Sequence, residues 1–204
     1  MIAIVDYGLG NVRAFLNVYK RLNIEASAAS NADALRFATK IILPGVGSFD
    51  RAMQRLEQSG MRQALEDVVL RQGTALLGVC VGMQMLARSS DEGSLPGLGW
   101  IEGRVRGFAS LEPACCLPLP HMGWNDVRPL RNGGLFDHLE SNARFYFLHS
   151  FYFECDREEN VLAVAHYGQD FSCAVRAANI FGVQFHPEKS HHFGTQLLRN
   201  FAEL

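Results

Sequence analysis

Three short apolar runs, each closed by a glycine-containing turn and followed by helix-forming sequence, constrain this 204-residue chain more than any other feature. Ile2–Val5 runs into Asp6-Tyr7-Gly8-Leu9-Gly10-Asn11, after which Val12, Phe15, Leu16, Tyr19 and Leu22 recur at helical spacing. Ile41-Ile42-Leu43 ends at Pro44-Gly45-Val46-Gly47, and residues 49–70 are mostly helix-forming with a break at Gly60. Residues 75–79 form the third run, with a helical pattern over 83–88. A continuous apolar run has no wet face, so it belongs in a sheet covered on both sides; the intervening helices are the crossovers that parallel strands require. The expected fold is α/β, an open, mostly parallel sheet with flanking helices. Such sheets bind ligands at the carboxyl ends of their strands.

After residue 90 the texture changes. Gly93, Pro96, Gly97, Gly99, Gly103 and Gly107 mark turns, and helical periodicity returns only over about residues 192–202. Residues 105–108, 145–153, 161–167, 171–175 and 180–185 read as strands, antiparallel in character, so a β-rich C-terminal half is expected to extend the same sheet. No repeat, linker or low-complexity tract divides the sequence, and one domain over 1–204 is expected.

Composition narrows the function classes. Apolar residues make up 48% and charged residues 20%, with no run of about 18 apolar residues, which excludes a membrane-spanning helix and a disordered chain. With 19 Lys+Arg against 21 Asp+Glu, no general attraction to nucleic acid or to an anionic membrane is expected. The start, Met-Ile-Ala-Ile-Val-Asp, lacks the basic segment of a signal peptide, and cytoplasm is the expected compartment. Five cysteines, two of them adjacent at Cys115 and Cys116, do not make a disulfide framework. No Cys-x-x-Cys or His-x-x-x-His spacing is present, so no metal is expected.

The chemistry concentrates in two segments. Leu76-Leu77-Gly78-Val79-Cys80-Val81-Gly82-Met83-Gln84 has the form of a nucleophile elbow, in which a strained residue between strand and helix presents its side chain and the following amides stabilise an oxyanion. The helix start would favour an anionic sulfur. Alone, the pattern fits equally a buried cysteine in a glycine-rich turn. Val183-Gln184-Phe185-His186-Pro187-Glu188-Lys189-Ser190 places a histidine and a carboxylate two apart; Pro187 favours an extended His186, so Glu188 can share its face and orient the imidazole. Alone, that segment also fits a surface proline turn. Together they supply a thiol, a base and an orienting acid. Pro44-Gly45-Val46-Gly47 adds a glycine-flanked peptide that can turn an amide toward an oxyanion.

These segments resemble the class I (triad) glutamine amidotransferases and, within them, the glutaminase subunits of imidazole glycerol phosphate synthase. The resemblance covers almost the whole chain. It rests also on Asp6-Tyr7-Gly8-x-Gly10-Asn11, Pro120-His121-Met122-Gly123-Trp124-Asn125 and Tyr146-Phe147-x-His149-Ser150, of which the Pro-His-Met-Gly-Trp-Asn segment is the more specific marker. It implies hydrolysis of L-glutamine through a thioester on Cys80, with His186 as base and then acid and Glu188 as its orienter. Val46, Gly47, Val81, Gly82, Gln84, His149, Ser150 and Phe151 would hold glutamine or its oxyanion, with the amides from Val81 and from Val46 or Gly47. Asn11, Met122, Trp124, Tyr146 and Lys189 would face a (β/α)8-barrel cyclase in a heterodimer. That partner would receive ammonia and form imidazole glycerol phosphate and a purine-pathway carboxamide, and no cofactor is implied. Low activity without the partner is implied too, with Val46 as the moving part.

Two segments depart from this pattern. Leu95-Pro96-Gly97-Leu98-Gly99-Trp100-Ile101 and Lys189-Ser190-His191-His192-Phe193-Gly194 are closer to a paralogous branch that aminates or amidinates a surface-polysaccharide sugar. A non-catalytic docking module is disfavoured because no triad member is missing.

Overall fold

Parallel pairing of the three apolar runs organises the molecule. The computed structural model describes residues 1–110, 117–131, 133–139 and 142–204, so Cys115 and Cys116 lie outside the described residues. In chain order the elements are β1 (Ile2–Val5), α1 (Val12–Arg21), β2 (Ala26–Ala29), β3 (Lys40–Gly45), α2 (Phe49–Gln58), α3 (Arg62–Glu66), β4 (Ala75–Cys80) and α4 (Val81–Gln84). They continue with β5 (Gly103–Gly107), β6 (His121–Asp126), β7 (Arg128–Pro129), β8 (Arg144–His149), β9 (Phe151–Cys155), β10 (Val161–Tyr167), β11 (Gln169–Ala177), β12 (Ile180–Val183) and α5 (His191–Glu203).

The strands β2, β1, β3, β4 and β12 lie side by side, all parallel. Antiparallel β11, β10 and β7 continue the sheet from β12, while β9 pairs with β11 and with β5. All four residues of β1 and β12, and all but the first of β3 and β4, are buried, as continuous apolar runs require. Helix α1 turns Phe15, Val18 and Tyr19 inward and packs against α5, where the Tyr19 hydroxyl donates to Leu198 O at 3.2 Å. That bond satisfies a phenol the core would otherwise leave unpaired.

Several expectations are corrected. The strand read over 180–185 is not part of an antiparallel extension: β12 inserts into the sheet interior, parallel to β4 and antiparallel to β11. The strand read over 145–153 is broken at Ser150, and its halves separate, β8 into a two-stranded ribbon with β6 and β9 toward β5. The helix read over 83–88 is confined to Val81–Gln84. The carbonyls of Met85, Leu86 and Ala87 accept bonds from Leu98, Ile101 and Gly99 instead of from a continuing helix.

Candidate active site

Strand register brings the sequence-predicted groups together. Gly45 of β3 lies opposite Cys80, the last residue of β4, and on the other side Val183 of β12 pairs with Val79, which puts Gln184 beside Cys80. The cysteine therefore ends a central strand, flanked by the Pro44-Gly45-Val46-Gly47 turn and by the segment leading to His186.

The elbow is formed by backbone crowding. Cys80 has φ 57° and ψ −116°, an unusual conformation for a side chain larger than glycine, and Val81 begins α4 directly after it. Glycine is needed at 82 because a Cβ there would meet Leu43 O at 1.9 Å. The turn from β3 is equally tight, and Gly47 adopts φ +86°.

His186 has an extended backbone, φ −102° and ψ 93°, as its following proline dictates. Glu188, however, lies in a 3₁₀ turn over Pro187–Lys189 rather than in an extended segment. This turn still brings the pair together, with His186 Nδ1 3.0 Å from Glu188 Oε1 and the carboxylate side chain only 2% exposed. Burial alone would push the imidazole down; hydrogen bonds to Cys80 and Glu188, together with their charges, outweigh it and raise His186 above its ordinary value. The imidazole thus sits between a sulfur and a carboxylate, a setting that favours its protonated form. Its backbone is clamped as well. His186 N–H donates to Tyr146 O at 2.8 Å, while the Ser190 hydroxyl donates to His186 O at 2.6 Å and accepts Tyr146 N–H at 3.0 Å.

A cavity of about 280 Å³ opens over Cys80 and His186, and Val46, Gly47, Val81, Gln84, His149, Ser150, Phe151 and Lys189 line it. The volume suits a small amino acid better than a nucleotide. Gly82 is not on the lining, and its Cα lies against Leu43 O beneath it. Glu188 lies outside the lining too, beyond the His186 ring.

Sequence reasoning missed Glu92, the one carboxylate among the described residues of this lining. Its Oε2 accepts Phe49 N–H at 2.8 Å at the start of α2, and Asp50 of the same helix accepts Ser94 N–H at 3.0 Å and Leu95 N–H at 3.0 Å. Those bonds, Ser94 first, hold the Asp50 carboxyl below its ordinary value. The only sequence signal was Asp91-Glu92-Gly93, an acid pair in a turn. Among the described residues no group of three or more His, Cys, Asp or Glu is arranged to hold a metal ion.

One face of the β6–β8 ribbon is open. Met122 is 65% and Trp124 40% exposed, opposite Leu148 and Tyr146 respectively. Trp124 stacks on His191, with ring centroids 5.1 Å apart, and Lys189 Nζ lies 5.8 Å from the Tyr146 ring centroid. Asn11 is exposed at the start of α1. The face adjoins the cavity, because Leu148 and Pro120 belong to its rim.

Residues 3–204 match the family described as glutamine amidotransferase class-I. A Bdellovibrio bacteriovorus protein named imidazole glycerol phosphate synthase subunit HisH is 61% identical over 204 residues, all of both chains. A Leptospira interrogans protein of the same name is 53% identical, again over the full length of both. Among solved structures, one described as a crystal structure of glutamine amidotransferase has a TM-score of 0.76 at 23% identity, covering 99% of this chain and 97% of that one. At that identity the likeness concerns the fold.

Proposed function

This chain belongs to the class-I glutamine amidotransferases, and from that premise we propose that it is the glutaminase subunit of an imidazole glycerol phosphate synthase. In this reading it is one domain, 1–204, that hydrolyses L-glutamine in the cytoplasm and passes ammonia to a (β/α)8-barrel cyclase. The observation that carries the reading is the register of β3, β4 and β12, which sets Cys80 between the glycine turn and the His186–Glu188 pair. The full-length relatives named for that synthase support the acceptor. No described helix is long and apolar enough to cross a membrane.

Glutamine binds with its carboxamide over Cys80 and its α-ammonium toward Glu92. The sulfur attacks the carboxamide carbon, and the charge developing on oxygen is met by the Val81 amide and by that of Val46 or Gly47. His186 gives its proton to the departing nitrogen, so ammonia leaves and a thioester remains. Water then attacks the thioester while His186 takes its proton, releasing glutamate and restoring the thiolate–imidazolium pair. Glu188 holds the imidazole in register and stabilises its charge throughout. Ammonia leaves toward the partner held against Met122, Trp124, Tyr146, Lys189 and Asn11, and docking of that partner sets the Val46–Gly47 peptide for turnover.

The test is reconstitution with a histidine-pathway cyclase, its phosphorylated aminoimidazole nucleotide and glutamine. Imidazole glycerol phosphate should form with one glutamate per product. Cys80→Ala should abolish glutamate formation, a loss of at least about 10⁴-fold, while added ammonium still supports the cyclase reaction. Ordinary glutamate release by the variant would overturn the nucleophile. Product formation only beside a sugar-pathway barrel would move the acceptor to surface polysaccharide.

A further inference from the structure

Beside the triad runs a second chain of hydrogen bonds whose polarity is fixed by backbone carbonyls. Phe151 O can only accept, so His149 Nδ1, 2.8 Å away, carries a proton. Burial pushes His149 down to about 3, so the ring is neutral and its Nε2 is an acceptor. His121 Nδ1 at 2.9 Å must then be the donor. Burial pushes His121 down to about 4, leaving this ring neutral too, with Nε2 to accept from Asn125 Nδ2 at 3.2 Å. The orientation of Asn125 is set independently: its Nδ2 donates to His166 O at 2.9 Å and its Oδ1 accepts Asp126 N–H at 2.8 Å.

From Phe151 O the same logic runs toward the nucleophile. Gln84 Nε2 donates to that carbonyl at 3.2 Å and to Gln184 Oε1 at 3.0 Å, which commits both amide hydrogens. Gln84 therefore offers only its carbonyl oxygen to a ligand, the atom that suits an ammonium or carboxamide N–H. Gln184, fully buried, is left with its Nε2 toward Cys80 Sγ at 3.9 Å.

We propose that His121 and His149 are positioning residues for glutamine hydrolysis, a neutral pair protonated at Nδ1 that fixes the Phe151 carbonyl and, through it, the Gln84 and Gln184 carboxamides. This rests on the glutaminase reading. Neither ring takes part in proton transfer. Strand alternation gives the pair a second role, since β6 turns His121 and Asn125 inward and Met122 and Trp124 outward. A partner that shifts the ribbon from outside shifts the relay inside.

His121 also stacks on Tyr167, centroids 4.1 Å apart, and on Phe147 at 4.9 Å, so His121→Phe keeps the aromatic packing and removes both nitrogens. In complex with a histidine-pathway cyclase, that variant should raise the KM for glutamine about tenfold and change kcat less, because Gln84 loses its fixed orientation. Unchanged KM in a folded variant would overturn the relay. The second measurement needs no variant: ¹⁵N NMR of the histidine rings in the unaltered complex between pH 6 and 8. Both rings neutral and protonated at Nδ1 is the expected result. A cationic ring, or a proton on Nε2 of either, overturns the proposal. Absence of glutamine hydrolysis by the unaltered complex would instead overturn the glutaminase reading, a failure separate from a wrong tautomer.

Discussion

The cavity has two unlike walls. The wall from β3, β4 and α4 contributes the side chains of Cys80 and Gln84 and is otherwise shaped by main chain: a residue at positive φ, a glycine at φ +86° and a close approach of Gly82 to Leu43 O. The opposite wall, from the β6–β8 ribbon and the turn after β12, is made of side chains that hold one another by charge and hydrogen bonds: His186 on Glu188, His121 on His149, Ser190 on the His186 carbonyl. A main-chain wall is set by the sheet and fails only where an added atom does not fit. A side-chain wall keeps its shape when an atom changes but loses its electrostatics. The two should therefore fail in different measurements.

Apart from removal of Cys80 itself, the largest effect is expected on the side-chain wall. Glu188→Gln keeps the shape and removes the charge, and partner-stimulated glutaminase kcat should fall about 10²–10³-fold without loss of the fold. Its pH profile sharpens the point. The Glu188 bond and charge help raise His186, whose proton is held below its elevated value and lost as pH rises through it. Without the charge, the alkaline limb of kcat/KM should move to lower pH. An unmoved limb would mean that Glu188 does not set the protonation of the base.

Gly82→Ala tests the main-chain wall. The added Cβ would meet Leu43 O, and the adjoining strands must shift, costing about 3 kcal/mol of stability in urea unfolding. Wild-type stability there would mean that the elbow is not held by close packing. The smallest effect belongs to the face outside both walls. Trp124→Ala should weaken cyclase binding by about 1–2 kcal/mol, read as a roughly five- to thirtyfold rise in Kd, with unfolding nearly unchanged because the ring is partly exposed. Unaltered affinity would remove Trp124 from the docking face and leave its stacking on His191 as its role.

The same division explains what the sequence disclosed. Strands β1, β3 and β4 were legible because burial on both faces leaves uninterrupted apolar runs, and Cys80 and His186 because glycine and proline mark their turns. Strand β2 was not, since Ala26-Ser27-Ala28-Ala29 has neither bulk nor alternation. Strand β6 escaped for the opposite reason: its inward positions carry His121, Gly123 and Asn125, and its outward ones Met122 and Trp124, so the usual apolar-in pattern is inverted. The parallel placement of β12 is a property of the whole sheet, invisible in any window of sequence. Glu92 and Gln184 matter through neighbours 43 and 104 residues away in the chain, at Phe49 and Cys80.

That placement of β12 also orders the events of folding. The thiol at residue 80 leaves the ribosome more than a hundred residues before the histidine at 186, and the imidazole reaches it only when β12 slots between β4 and β11. Pairing so distant in sequence is slow to form. A nascent or misfolded chain therefore carries a cysteine without its histidine neighbour, and the Cys80–His186 pair exists only in molecules that have closed the sheet.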